Sequence, residues 1–141
     1  MKLPRGFIHK ELQGIDSTVG EIRGKGIVIE YDLYGEVEVD CRVPAQGEFD
    51  WKYFLQGKVV RRGVPVCYWL EFQMSEADQA KCEQSTDESA CRHLLYAQGK
   101  ERLEGLLRAS IFGASFTAQV KGQEQVDTVI KVVANYRPSR D

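Results

Sequence analysis

The segment Gly57–Cys82, GKVVRRGVPVCYWLEFQMSEADQAKC, constrains the fold more than any other part of the chain. It reads as a strand, a tight turn at Arg62-Gly63, a returning strand and an abrupt helix start. β-Branched and aromatic residues fill both arms, as suits a pleated, half-buried surface. Ser75 is a good N-cap, with Asp78 three residues on as an acidic variant of the capping box. A short helix is therefore expected over about Glu76–Gln84. A hairpin that feeds directly into a helix excludes an all-helical bundle and points to an α+β domain.

The remaining segments extend this pattern. Ile27–Leu33 (IVIEYDL) is a strand by composition. Glu36–Val43 (EVEVDCRV) alternates strictly, with Val37, Val39, Cys41 and Val43 on one face and Glu36, Glu38, Asp40 and Arg42 on the other. Pro44 ends it. Trp51–Arg62 reads as a long strand with a break at Gly57, and Val64–Met74 as its partner. After Ser85–Ser89 breaks the first helix, Asp87 or Ser89 caps a second one that runs to about Ala109. Leu95, Leu103, Leu106 and Leu107 form its apolar stripe. Ser115–Val120 and Val126–Tyr136 both alternate, and Lys121–Glu124 joins them as a C-terminal hairpin. Residues 1–17 show no clear pattern. No internal repeat or linker stands out.

A chain of 141 residues is one ordinary domain with enough length to bury a core. The formal net charge of -2 argues against a wholesale nucleic-acid binder, which would be basic. No apolar run approaches a membrane span and no secretory h-region opens the sequence, so a cytoplasmic setting is the expectation. The four cysteines match no common disulfide or zinc framework and are read as reduced.

The run Gly26–Gln84 resembles the PilZ domain, a β-barrel family of bacterial cyclic di-GMP receptors. The matching pieces are Gly26-Ile27-Val28-Ile29, Gly35 to Val43-Pro44, Gly57-Lys58-Val59-Val60-Arg61, Leu70-Glu71-Phe72 and Ser75–Cys82. The resemblance implies a small antiparallel barrel over about residues 18–84, plugged by the Ser75 helix, with the second helix and terminal hairpin as an extension over about 85–141. It also implies where a ligand would sit. The family's Arg-x-x-x-Arg is absent here, and its nearest echo is Arg5-x-x-x-His9. The Asp/Asn-x-Ser-x-x-Gly motif aligns with Glu21–Gly26, which keeps an acid and the glycine, or in another register with Ile15–Gly20. A dianionic dinucleotide needs several fixed donors. The resemblance thus implies a degenerate, non-enzymatic signalling adaptor that acts through protein partners, with cyclic di-GMP binding weak or absent. The alternatives are a true receptor for cyclic di-GMP or another anionic small ligand at a non-standard site, and an unrelated α+β interaction domain.

The candidate ligand contacts are Arg5, His9, Glu21, Arg23, Gly26, Arg61 and Arg62, and the candidate partner contacts are Tyr68 and Trp69. Adjacent strand residues face opposite ways, so only one of Arg61 and Arg62, and one of Tyr68 and Trp69, can address a given site. A solvated strand edge and a packed core are the plainer readings of these two pairs. Cys82, Cys91 and His93 have the wrong spacing for zinc and lack a fourth ligand. Cys91 and His93 do not share a helix face, which leaves them poorly placed as a nucleophilic pair. Glu36, Glu38 and Asp40 line a strand face that solvation explains. No catalytic residue, cofactor or metal is expected. The second helix and the terminal hairpin each offer an apolar face through which a homodimer is expected.

Overall fold

The computed structural model describes residues 3, 5–12, 19–33, 53–61 and 63–136. Seven strands and three helices occupy them: β1 (Ile8–Leu12), β2 (Val19–Gly24), β3 (Ile27–Asp32), β4 (Tyr53–Arg61), β5 (Val64–Glu71), α1 (Glu76–Glu83), α2 (Glu88–Arg102), β6 (Glu104–Ile111), β7 (Ala114–Lys121) and α3 (Gln123–Ala134). The strands form one antiparallel sheet in the order β1-β2-β3-β7-β6-β5-β4. One face of this sheet carries α3, which packs across β5, β6 and β7. Val126, Val129, Ile130, Val133 and Ala134 recur at helical spacing and are all buried against the sheet. Their partners are the inward residues Ile22, Ile29, Leu70, Leu107, Phe116 and Ala118.

Three tight hairpins, β2-β3, β4-β5 and β6-β7, each have a positive-φ glycine in the turn. In two of them both turn residues have positive φ: Lys25-Gly26 at 51° and 75°, and Phe112-Gly113 at 52° and 77°. Those values define the type I′ turn whose twist matches antiparallel strands. In the third, Gly63 sits at 76° between β4 and β5.

The sequence does contain an internal repeat, contrary to expectation. Gly20–Tyr31 (GEIRGKGIVIEY) and Gly57–Tyr68 (GKVVRRGVPVCY) share the pattern Gly-x-aliphatic-x-x-basic-Gly-aliphatic-x-aliphatic-x-Tyr. Each copy is a whole hairpin, β2-β3 and β4-β5. Each joins the central β6-β7 pair through its second strand. An approximate two-fold axis normal to the sheet, between β6 and β7, therefore exchanges the two halves. Pairing makes the relation explicit: Gly20↔Tyr31, Tyr31↔Phe116, Phe116↔Ala109, Ala109↔Tyr68 and Tyr68↔Gly57 lie in one continuous row. In both copies the glycine lets the tyrosine ring lie over its backbone. A Cβ at Gly20 or Gly57 would stand 2.3 Å from the hydroxyl of Tyr31 or Tyr68. The repeat was hidden because few of its positions are identical; only pairing shows which ones correspond.

Several expectations need correction. The sheet is open rather than a closed barrel: β1 and β4 are the outermost described strands and do not pair with each other. Val19–Gly24 is a strand that composition did not reveal. The second helix stops at Arg102 instead of continuing to Ala109. Leu103 adopts a left-handed conformation (φ 48°) that ends it, and Glu104–Ile111 is a strand. Read at period two, Gly105, Leu107, Ala109 and Ile111 all point into the core. Gly105 has a further role, since a Cβ there would lie 2.1 Å from the Glu71 carbonyl oxygen. The C-terminal hairpin is also absent. Ser115–Val120 falls in β7 as expected, but β7 pairs with β6 and β3, and Gln123–Ala134 is helical. Its valines favour strands by propensity, yet burial of a single helical stripe against the sheet prevails. Ser75 and Asp87 cap α1 and α2 as expected, accepting from the backbone N–H of Asp78 and Ala90. Arg62 and the alternating segment 36–43 lie outside the described residues.

Candidate functional site

The two sheet faces present different chemistry. Beneath α3 the face is apolar. The opposite face carries a row of mostly polar residues, Lys10, Glu21, Glu30, Thr117, Arg108 and Trp69, one each from β1, β2, β3, β7, β6 and β5. Two ion pairs organise it. Arg23 grips Glu21 with two N–H donors, Nε to Oε1 at 2.7 Å and Nη2 to Oε2 at 3.2 Å. Arg108 Nε donates to Glu71 Oε2 at 3.3 Å. The hydrogen bond from Arg23, with its charge, holds the Glu21 carboxyl below its ordinary range and outweighs opposing desolvation. The same bond raises Arg23. Arg23 remains largely exposed, so it keeps donors for a further anion.

The expected ligand contacts are not brought together. Arg23 and Gly26 lie at the β2-β3 tip, and Arg5 leads into β1, whose Ile8 pairs with Arg23. Arg61 pairs with Val64 at the β4-β5 tip. The pseudo-two-fold sends these tips to opposite ends and opposite halves of the sheet. Five strand spacings and seven residues of rise separate Arg23 from Arg61, on the order of 30 Å. No small ligand touches both. His9 is on the other face from Glu21 and Arg23, where its Nε2 meets the Tyr31 hydroxyl at 2.5 Å. Burial pushes the Tyr31 phenol above its usual range, with the Glu11 charge adding to the effect.

Tyr68 and Trp69 point to opposite faces, and both are half-buried. Tyr68 packs on the main core. It also lines a groove of about 660 Å³ between the β4-β5 hairpin and the flank of α3, with Val59, Glu124, Asp127, Thr128 and Lys131. Sequence reading missed this groove because it placed α3 in a strand. The pseudo-equivalent surface, over Tyr31, is filled instead by His9 and by Phe7 near Gly24.

The helical pair offers a different surface. Cys82 and Cys91 form a disulfide between α1 and α2. Cys67 is disulfide-bonded as well, and none of the described cysteines is a free thiol. The expectation of reduced cysteines is thereby corrected, as sequence spacing cannot report which chains of backbone meet in space. The bond also removes Cys82 and Cys91 as zinc ligands and Cys91 as a nucleophile; no group of three or more metal-binding side chains occurs among the described residues. The N-terminal turn of α2 (Glu88, Ser89, Arg92 and His93) lines a second cavity of about 470 Å³. His93 Nδ1 lies 2.7 Å from the Ser89 carbonyl oxygen. As an acceptor-only partner, that oxygen requires Nδ1 to carry the proton. Nδ1 is then no base for the Ser89 hydroxyl, 3.4 Å away. This Ser–His pair is a helix-surface contact and not a catalytic dyad.

No described helix is long and apolar enough to cross a membrane. No family model, curated protein or solved structure matches the chain.

Proposed function

We infer that this chain is a non-enzymatic interaction module that recognises a protein partner through the α1–α2 pair. The observation that carries this reading is the state of α2: none of its 15 residues is buried, and Leu94 is 60% exposed. Most helical stability in proteins comes from packing an apolar face. A helix with no fully buried residue, tied to its neighbour by a disulfide, presents an exposed face that includes Leu94 to a partner. Comparing proteins that co-purify with the tagged wild-type chain and with Leu94→Glu tests it. The reading expects at least one specific protein lost from the variant, and an identical set overturns it.

The PilZ-like adaptor role rests on the sequence resemblance alone, and the open sheet gives it no added support. The anionic-ligand alternative is best placed at Arg23, with its exposed fork beside Glu21. Calorimetric titration with cyclic di-GMP discriminates: micromolar or tighter binding, abolished by Arg23→Ala, favours the receptor over the adaptor. Disulfides persist in oxidising surroundings and are rare in reducing ones. The bonded cysteines therefore favour an oxidising compartment over the cytoplasmic setting expected from sequence. A homodimer remains a proposal for sedimentation at micromolar concentration. The α2 surface is its expected interface, because residues 115–136 form a strand of the sheet and a core helix rather than a hairpin with a spare apolar face.

A further inference from the structure

The α1–α2 pair has an unusual balance of forces. Cys82 is the sole buried residue of α1, and α2 has none. Besides the disulfide, α1 packs on α2, and α2 lies against β6. Phe72 meets Tyr96 edge-on at 5.6 Å between centroids. The hydrogen bonds described within the pair are local: the two caps, Ser85 with Asp87, Ser89 with His93, Arg92 to Glu88 and Gln79 to Glu83. Caps and i,i+4 pairs stabilise a helix that already exists, but they do not fix it to a neighbour. α1 has 8 residues, well below the length at which an isolated helix holds in water. The core cluster is built from the sheet and α3, and neither α1 nor α2 contributes to it.

We propose that the Cys82–Cys91 disulfide is a redox clip: its reduction lets α1 and α2 come apart from one another while the seven-stranded sheet and α3 stay folded. Cys82 is fully buried and Cys91 is partly exposed, so an incoming thiolate reaches Cys91 Sγ first. A dithiol reductant supplies the chemistry. Its thiolate bonds to Cys91 Sγ, the Sγ–Sγ bond breaks, and Cys82 leaves as a thiolate that takes up a proton. The second thiol of the reductant then attacks the mixed disulfide and frees Cys91 as a thiol. Two electrons pass to the protein, and the reductant departs as its own cyclic disulfide. The freed Cys82 has lost the bond that fixed α1 to α2, and the pair opens. This inference goes beyond the partner-binding reading and is tested without any partner.

Amide hydrogen exchange on the full chain tests it. With a dithiol, exchange across Glu76–Arg102 is expected to rise roughly tenfold or more, as a closed loop no longer restricts the open state, while β6, β7 and α3 keep their protection. The Cys82→Ser/Cys91→Ser variant, which retains Cys67, is expected to show the same local loosening without reductant. This separates the clip from reduction at Cys67. Unchanged exchange over Glu76–Arg102 in the variant overturns the proposal. So does loss of protection in β6, β7 and α3 together with the helices. Should the variant not fold, limited proteolysis of wild type at graded dithiol decides: first cuts within residues 76–102 support the clip, and first cuts in the sheet refute it.

Discussion

Gly20 and Gly57 occupy equivalent places in the two halves, yet alanine is expected to be tolerated very differently at each. In both, the new Cβ would meet a tyrosine ring at 2.3–2.6 Å, so the ring must move. Tyr31 has nowhere to go. It is 8% exposed, bonded to His9 and stacked on Phe116 at 6.1 Å. Overpacking of this kind costs ~1–3 kcal/mol. Losing the His9 contact adds ~1 kcal/mol. Replacing glycine returns ~0.5–1 kcal/mol through the unfolded chain. Gly20→Ala should therefore destabilise by about 1–3.5 kcal/mol in total. Tyr68 borders the α3 groove and can swing into it, so Gly57→Ala should fall within about 1 kcal/mol of wild type. Urea denaturation with a common m-value reads both. Adding Tyr31→Leu gives a double-mutant cycle in which Gly20→Ala should lose most of its penalty. Equal penalties at the two sites, or no coupling between positions 20 and 31, would refute the reasoning.

Other outcomes follow from the same geometry. Gly105→Ala should be the least tolerated glycine substitution, costing more than ~3 kcal/mol, because its Cβ meets the Glu71 backbone and not a movable side chain; a thermal midpoint near wild type would contradict this. Leu107→Ala, at a fully buried site, should cost ~2–5 kcal/mol, whereas Leu94→Ala should stay within ~0.5 kcal/mol, as urea midpoints will show. The lowered Glu21 carboxyl stabilises the fold above the unfolded-state value, and that contribution is lost as pH falls through the folded one. Glu21→Gln should therefore lower the thermal midpoint slightly at pH 7 and not at all at strongly acidic pH, with the pH 7 effect shrinking at high salt because the Arg23 side chain is 63% exposed. An effect that persists in acid would remove the ion pair as its cause.

What the sequence settled by itself was local. β-Branched and aromatic composition marked Ile27–Leu33 and alternation marked Ser115–Val120 as strands, Arg62-Gly63 marked a hairpin, and the side chains of Ser75 and Asp87 marked helix starts, because each signal acts over a few neighbouring residues. Two signals competed within Glu104–Ile111 and Gln123–Ala134, where leucines and valines fit either period. There the tertiary structure decided. A strand was required at Gly105 to pair with β7 and pass close to Glu71, and a helix was required at Val126–Ala134 to cover the sheet. The site followed the same division. Arginines, a histidine and two aromatics were legible as residue types capable of binding, but their distances were not, since the pseudo-two-fold that sends Arg23 and Arg61 to opposite ends exists only once β6 and β7 pair at the centre. The disulfides were equally out of reach. Which thiols meet depends on how α1 and α2 fold back on one another, and that is a property of the assembled chain.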